Sequence, residues 1–398
     1  MTTSKHIFIP NPDDSGTDGD SSSDTDNSES ELPDEDNSES EIHVPNVSYR
    51  SVFESYTEKQ KLLEPNHTFS WCEGEKVYSV DLKDQLLLPD SVKQKISSMS
   101  HVELFEIFFS EEIKNYITQA SEENDLKLSS KELNTFIGIL LLSSYNIRKN
   151  QREYWETDPL ENCSAVSSAM TRDRFSEIKS KIKYSKPTDK NDNDKAWKVR
   201  HILELFRTKI KQFGYFSTAL SIDEMMVRFF DRYRIKLWAL CGANGYIFNV
   251  DIYCGKNDTS IGINLSACPL GSRVVLQMVN PLLHSFSKRK LSDYHVYFDN
   301  YFTTPDLVVH LNKCGLRSTG TVRKDRVKQK HDFEKKAPRG TNKASYDRNS
   351  GMNLISVVDS KEVSILSTAA DVTPLEPMER YSRTAKKRSK LEFPCAFS

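Results

Sequence analysis

The spacing of apolar residues changes once along this chain, near Ala219, and the change divides the chain into two unlike parts. From about Val102 to Phe216 the apolar residues recur every three or four positions, as on one face of a helix. Beyond Ala219, short runs rich in β-branched and aromatic residues alternate with helical stretches. The sequence therefore predicts a mainly helical segment followed by a mixed α/β segment.

Three helices are predicted in the first part. Ser129 and Glu132 form a capping box ahead of an apolar helical face, so a helix is expected to begin there. Two more helices are predicted over residues 172–183 and 196–213, where apolar residues keep helical spacing. These helices are more typical of a scaffold than of a catalytic unit.

The second part predicts a mixed sheet with helices packed on it. Asn244-Gly245 joins two strand-like runs, and an Asn-Gly pair at such a junction is a strong hairpin signal. Thr304-Pro305 favours a helix start, and Gly315 favours its end. The predicted elements are strands over 219–229, 235–241 and 246–253, a helix over 271–287, a strand over 295–298, the helix ending at Gly315, and a strand over 318–322. This order indicates an α/β layer architecture.

Charge is distributed unevenly along the chain. Residues 1–50 contain 13 acidic and 2 basic residues, which leaves 53 basic and 44 acidic residues for the rest. From residue 11 to residue 42, 21 of 32 residues are Ser, Asp or Glu, so this stretch cannot form an apolar core. We predict a disordered acidic tail, which either keeps the protein in solution or contacts basic nuclear partners such as histones.

Several classes of protein are disfavoured. The longest apolar run, residues 136–142, is too short to span a bilayer, so no membrane association is expected. The cysteines include no C-x-x-C pair, and no Gly-rich phosphate loop or nucleophile elbow is present. The sequence therefore indicates an intracellular protein with neither a zinc site nor the motifs of nucleotide hydrolysis.

Two acidic residues are candidate metal ligands. Asp223 lies on the first predicted strand, and Asp299 directly follows the fourth. Carboxylates that neighbouring strands bring together can hold Mg²⁺, which activates water and stabilises displacement at phosphorus. The alternative is that both are solvated or cap-forming carboxylates.

Two basic clusters are candidate contacts for the DNA backbone, because phosphate contacts require only positioned Lys and Arg side chains. The alternative for the first cluster is a solvated face, and the second also resembles a nuclear import signal. The clusters are Arg323, Lys324, Arg326 and Lys328, and Lys386, Lys387 and Arg388.

The motifs around the two aspartates resemble those of the piggyBac family of DNA transposases and their domesticated derivatives. The resemblance covers roughly residues 102–397. It rests on Arg172-Asp173-Arg174-Phe175, Ser221-Ile222-Asp223-Glu224-Met225-Met226, Ile235-Lys236-Leu237-Trp238-Ala239-Leu240, Val296-Tyr297-Phe298-Asp299-Asn300-Tyr301-Phe302-Thr303, Gly320-Thr321-Val322-Arg323, Arg339-Gly340, and Asp359-Ser360-Lys361-Glu362-Val363 before Leu366-Ser367-Thr368.

The resemblance implies an RNase H-like core, a preceding helical domain for dimerisation and DNA binding, and a largely β insertion after the fifth strand. Enzymes of this family cut and paste DNA at TTAA targets with three aspartates and two Mg²⁺ ions. Asp223 matches the first aspartate and Asp299 matches the second. The resemblance also implies double-stranded DNA as partner, a homodimer and a nuclear location.

Two departures from the family pattern indicate a protein without catalysis. The chain ends at Phe393-Pro394-Cys395-Ala396-Phe397-Ser398, before the Gly-Gly-Val-Asp motif that carries the third aspartate and before the cysteine-rich zinc module. The link over residues 230–234 is also shorter than the basic segment of relatives, which would remove DNA contacts and could disturb the strand that carries Asp223.

These features predict an incomplete RNase H-like α/β core behind a helical domain and an acidic tail. The expected domains are residues 1–50 (tail), 51–217 (helical), 218–323 (first part of the core) and 324–398 (β-rich insertion and C-terminal segment). The favoured function is that of an inactive transposase-derived protein that retains DNA binding or dimerisation. The alternatives are a fragment or isoform of an active transposase, and a protein that regulates a full-length relative by binding it.

Overall fold

The computed structural model describes residues 67–78, 84–158, 162–192, 194–229, 233–255, 269–382 and 386–397. The predicted acidic tail lies outside these residues. The described residues belong to one compact unit, Ser48–Ser398. None of the helices in this part of the chain combines the length and the apolar character needed to cross a bilayer.

Ten α-helices occur among the described residues. They are α1 Asp90–Ser97, α2 His101–Phe108, α3 Glu111–Glu122, α4 Ser130–Tyr145, α5 Ser164–Ser167, α6 Arg172–Lys181, α7 Trp197–Ile210, α8 Leu270–Ser285, α9 Lys288–Leu291 and α10 Pro305–Cys314. The Ser129 and Glu132 capping box is present at the start of α4. Thr304 caps α10, and Gly315 ends it in the left-handed conformation, so local capping chemistry predicted both helix boundaries.

Eleven strands occur among the described residues. They are β1 Trp71–Glu73, β2 Ala219–Phe229, β3 Tyr233–Gly242, β4 Ile247–Ile252, β5 His295–Phe298, β6 Arg317–Val322, β7 Asn342–Asp347, β8 Asn353–Val358, β9 Glu362–Ser367, β10 Leu375–Ser382 and β11 Lys387–Pro394. Nine of them form one sheet in the order β1-β7-β8-β9-β6-β5-β2-β3-β4, and β10 pairs with β11. The prediction of a mixed α/β fold is confirmed.

The central part of the large sheet has a defined pattern of directions. β2, β3 and β4 are antiparallel neighbours, whereas β5 runs parallel to β2 and β6 runs parallel to β5. Three of the strands after residue 324, β7, β8 and β9, extend this same sheet, because β9 pairs antiparallel with β6. The strands β10 and β11 form the separate two-stranded sheet.

Two apolar clusters stabilise the described structure. One lies among the helices and includes Ile113, Leu133 and Phe175. The other joins the sheet to α8 and α10, and it includes Ile222 and Val275. Burial of this kind stabilises by about 25 cal/mol per Å² of apolar surface, which holds the strands that carry the candidate site in place.

The short link over residues 230–232 does not disturb the strand that carries Asp223. β2 pairs with β3 continuously from Leu220↔Gly242 to Phe229↔Tyr233. The expectation that the shortened link would distort this strand was therefore wrong. The ten residue pairs of the antiparallel ladder hold β2 extended, so the strand does not depend on the length of the link.

Candidate functional site

The pairing of β2 with β5 places the two candidate residues, Asp223 and Asp299, side by side. The parallel pairing of β2 with β5 ends at Ile222↔Phe298, and Asp223 and Asp299 are each the next residue. Neighbouring strands lie about 4.8 Å apart, so this register places the two residues next to each other. Asp299 directly follows β5, as predicted, whereas Asp223 lies inside β2, at the point where β2 loses β5 as a partner.

The alternation of side chains along β2 places Asp223 on an exposed face of the strand. Leu220 and Ile222 are buried, whereas Ser221 and Asp223 are exposed. Successive side chains of a strand point to opposite faces, so the apolar core fixes the direction of the carboxylate. Across the ladder, Cys241 pairs with Ser221, and burial followed by the charge of Asp223 raises the pKa of its thiol.

Each carboxylate caps a backbone amide in its own segment. Oδ1 of Asp223 accepts a hydrogen bond from the amide of Glu224 at 2.7 Å. Oδ1 of Asp299 accepts one from the amide of Tyr301 at 2.9 Å. Both side chains are exposed, so their remaining lone pairs are accessible for a cation.

The segment 299–304, which we call the Asp299 loop, is held by the surrounding core. The amide and the hydroxyl of Thr303 donate to the carbonyl oxygen of Asp299, at 3.2 and 2.7 Å. The ring of Trp238 stacks on that of Tyr301 with centroids 5.8 Å apart. Thr304 contacts Ser272 of α8 through their hydroxyl groups, 3.1 Å apart. The backbone that carries the carboxylate of Asp299 is thus fixed by hydrogen bonds and by ring packing.

The carboxylate pair suits a hard cation but supplies few ligands. Mg²⁺ prefers oxygen and often binds proteins through one or two carboxylates while it keeps several waters. Within the described ranges, no three His, Cys, Asp or Glu side chains gather as a potential metal-binding group. The two carboxylates could therefore supply two oxygen ligands to a cation of this kind.

The first basic cluster begins at the same edge of the sheet. β5 and β6 run parallel with Phe298 opposite Gly320, so Arg323, which follows β6, lies near the Asp299 loop. Arg323 and Lys328 are exposed. Lys324 is also exposed, but its Nζ lies 2.6 Å from Oε2 of Glu362.

Arg326 differs from the other members of its cluster. Its side chain is partly buried, and its Nη1 donates to backbone carbonyl oxygens of the Asp299 loop. The sequence offered no signal for this contact, because the arginine and the loop are joined only by the fold.

The second basic cluster lies at the start of β11. Lys386, Lys387 and Arg388 are all exposed. The guanidinium of Arg388 lies 3.9 Å from the carboxylate of Glu379 on the paired strand β10. An exposed pair at that distance contributes little to stability, so the cluster can still present its charges to a partner.

Two glycines near the carboxylates were missed by sequence reasoning. A Cβ on Gly271 would lie 2.6 Å from the carbonyl oxygen of Tyr301, and a Cβ on Gly320 would lie 2.7 Å from the ring of Phe298. Both glycines allow neighbouring elements to approach the Asp299 loop closely. A glycine inside a strand is the one sequence signal that indicates such an approach.

A known family matches most of the chain. A family model described as Transposase IS4 matches residues 100–393, which include both aspartates and most of the described structure. The chain belongs to this family of DDE transposases.

The chain is also similar to curated human proteins derived from piggyBac elements. The chain is 29% identical over 323 residues to the human PiggyBac transposable element-derived protein 2, a match to 75% of this chain and 53% of that protein. It is 31% identical over 317 residues to the human PiggyBac transposable element-derived protein 3, a match to 73% of this chain and 52% of that protein. The resemblance to piggyBac transposase-derived proteins is confirmed, and the chain spans about half the length of these relatives.

Proposed function

We propose that this chain is a DNA-binding, transposase-derived protein whose paired aspartates hold a divalent cation without completing a strand-cutting site by themselves. The observation that carries the proposal is the register of β2 on β5, which sets Asp223 beside Asp299 at the edge where a basic cluster begins. Carboxylates can bind a metal ion, and exposed cations beside them can contact the phosphate backbone of DNA.

An RNase H-like core is the finer fold that we propose. Three antiparallel strands joined by hairpins, followed by two strands parallel to the first, support it. The proposed core takes in residues 218–323 and follows a helical domain over residues 51–217. Residues 324–398 would form the β-rich insertion and the C-terminal segment, with β7, β8 and β9 as an extension of the core sheet.

We propose Mg²⁺ as the cation. When bound, it would polarise a phosphate oxygen and lower the pKa of its water. Asp223 and Asp299 would supply two ligands, and fewer protein ligands weaken both the affinity and the transition-state stabilisation. For this reason we expect no efficient cutting by this chain alone.

Double-stranded DNA is the proposed partner, and the nucleus is the proposed location. Arg323, Lys328 and the cluster at residues 386–388 would contact phosphates. A homodimer is proposed through the helical part, because Leu141, Tyr145 and Ile147 at the end of α4 are 49%, 76% and 76% exposed. Apolar side chains that cluster on a surface commonly mark a protein interface.

The salt dependence of duplex binding tests the DNA-binding proposal. Fluorescence anisotropy should give a log K that falls linearly with log salt, and K386A/K387A/R388A should reduce the slope by about 0.9 for each lost phosphate contact. K93A/K95A/K127A removes three exposed cations from the helical part and should leave the slope unchanged. Affinity that does not respond to salt would contradict the proposal.

An active nuclease or transposase is the second candidate, because the pairing of β2 with β5 sets two carboxylates side by side and carboxylates can hold the metal ions of strand cutting. Nicking of supercoiled DNA in Mg²⁺, with D223N as the control, separates the two candidates. We expect equal and negligible nicking by both proteins. Mg²⁺-dependent nicking that D223N abolishes would establish the enzyme instead.

A further inference from the structure

Arg326 makes three hydrogen bonds to one loop. Its Nη1 lies 2.8 Å from the carbonyl oxygen of Asn300, 3.0 Å from that of Tyr301 and 2.9 Å from that of Thr303. All three carbonyls belong to the Asp299 loop. Hydrogen bonds from a charged donor are about twice as strong as neutral ones, so the guanidinium is a strong tie between the segment after β6 and the loop after β5.

The surroundings of Arg326 differ from those of a phosphate contact. Its side chain is partly buried, and this burial, followed by the charge of Arg323, lowers its pKa. Lys328, two residues further on, is exposed. The two N–H groups of Nη1 are shared among the three loop carbonyls, so this nitrogen has no donor left for a phosphate.

Hydrogen bonds within the Asp299 loop connect the residues that Arg326 contacts to Asp299. Thr303, whose carbonyl Arg326 holds, donates both its amide and its hydroxyl to the backbone oxygen of Asp299. Tyr301, whose carbonyl Arg326 also holds, donates its amide to the carboxylate of Asp299. Through Tyr301 the arginine is therefore one residue removed from the carboxylate of Asp299, and through Thr303 it is one residue removed from the backbone carbonyl of Asp299.

The start of α8 and strand β6 approach the Asp299 loop closely. A Cβ on Gly271 would lie 2.9 Å from the Cα of Phe302, and a Cβ on Gly320 would contact the hydroxyl of Thr303. The start of α8 and strand β6 therefore pack against the loop, and Arg326 adds hydrogen bonds to its carbonyl oxygens. A site whose ligands are fixed in this way is preorganised for its ion.

We propose that Arg326 is a positioning residue, which fixes the Asp299 loop so that the carboxylate of Asp299 lies beside Asp223, and that it is not a contact to DNA. The metal-binding consequence rests on the proposed function, whereas the effect on the loop does not.

Amide hydrogen exchange tests the effect on the loop in the full chain. In R326M, the amides of Tyr301 and Thr303 should exchange about ten-fold faster or more, because three hydrogen bonds to a charged donor are lost. K328M, a matched loss of one charge from the same segment, should leave both rates unchanged. Amides of β8 and β9 report whether the sheet is intact.

Mn²⁺ affinity, measured by electron paramagnetic resonance, tests the consequence for the carboxylates. R326M should weaken Mn²⁺ binding by about ten-fold, the usual effect of losing a group that orients a metal ligand. K328M should bind Mn²⁺ as tightly as the unsubstituted protein. The salt slope for duplex binding should be the same for R326M and the unsubstituted protein, whereas loss of a phosphate contact would reduce it by about 0.9.

The outcomes separate the two proposals. Unchanged exchange at Tyr301 and Thr303 in R326M would overturn the positioning role, and so would a reduced salt slope with unchanged Mn²⁺ affinity. If the unsubstituted protein binds no Mn²⁺, the metal site of the proposed function fails, and hydrogen exchange still decides the role of Arg326. Should R326M not fold, R326K, which keeps the charge but lacks the planar fork, is judged by the same criteria.

Discussion

Glu132 shows how one side chain can serve two elements. Its Oε2 accepts from the amide of Ser129 at 3.1 Å and closes the capping box of α4, while its Oε1 accepts from Nε of Arg174 on α6 at 2.8 Å. The hydrogen bond from Arg174, with further help from Ser129 and against the effect of burial, lowers the pKa of Glu132 to about 2. The charged form is thus favoured in the folded protein.

This shift predicts a pH dependence of stability. A carboxylate whose pKa is lower in the folded state stabilises above its unfolded pKa, about 4.3, and the stabilisation is lost as pH falls toward 2. Thermal melting should therefore show a deficit for E132Q that is largest above pH 5 and shrinks toward pH 2. In an R174M background, the loss of stability caused by E132Q should depend less on pH. If E132Q lowers the melting temperature by the same amount from pH 6 to pH 2, the lowered pKa of Glu132 is contradicted.

Among the elements, the β6 strand depends on a glycine for its approach to the Asp299 loop. A Cβ on Gly320 would contact the hydroxyl of Thr303 and lie 2.7 Å from the ring of Phe298. We expect G320A to destabilise the protein by about 1–3 kcal/mol in urea unfolding, as overpacking does in well-packed interiors. It should also weaken Mn²⁺ binding, because the loop would be displaced.

Gly138 provides the matched control for this prediction. It lies in the interior of α4, is exposed, and has no heavy atom within 4 Å of the position that a Cβ would occupy. G138A should therefore stabilise the protein by up to about 1 kcal/mol, the difference in helix propensity between the two residues. Equal effects at the two positions would show that packing around Gly320 is looser than the structure indicates.

A second element-scale prediction concerns the N-terminal strap, residues 67–78, which adds β1 to the edge of the sheet. The buried carboxylate of Asp347 accepts from the amide of Ser70 at 2.6 Å, the hydroxyl of Ser350 at 2.6 Å and Nε2 of His67 at 2.8 Å. D347A would leave these donors without their acceptor. We expect a loss of at least about 2 kcal/mol and faster proteolysis within the strap.

The control for the strap is D332A. Asp332 is exposed, so its removal should change neither urea unfolding nor cleavage within the strap. Equal proteolysis of D347A and D332A would show that Asp347 does not anchor the strap.

At the scale of the whole molecule, the tail and the body carry opposite charge. Residues 1–50 have 11 more acidic than basic residues, whereas the rest of the chain has 9 more basic than acidic residues. Removal of residues 1–50 should therefore tighten duplex binding several-fold at about 50 mM salt, and the gain should shrink near 0.5 M as screening shortens the range of the charges. A gain that does not depend on salt would contradict an electrostatic origin.

Local sequence signals predicted the boundaries of individual helices and turns. Thr304 with Pro305 set the start of α10, Gly315 set its end, and Asn244-Gly245 lies at the β3–β4 turn, because capping and turn chemistry act over a few residues. The order of motifs around the two aspartates also indicated the family.

The contacts between distant segments became visible in the folded chain alone. The pairing Ile222↔Phe298 that sets Asp223 beside Asp299 joins residues 76 positions apart, and the contact of Arg326 with the Asp299 loop crosses from one strand connection to another. The joining of β9 to β6, which extends the sheet, is equally remote in sequence. Such contacts depend on register and on packing of the whole core, and a periodicity of two or of 3.6 residues does not specify either.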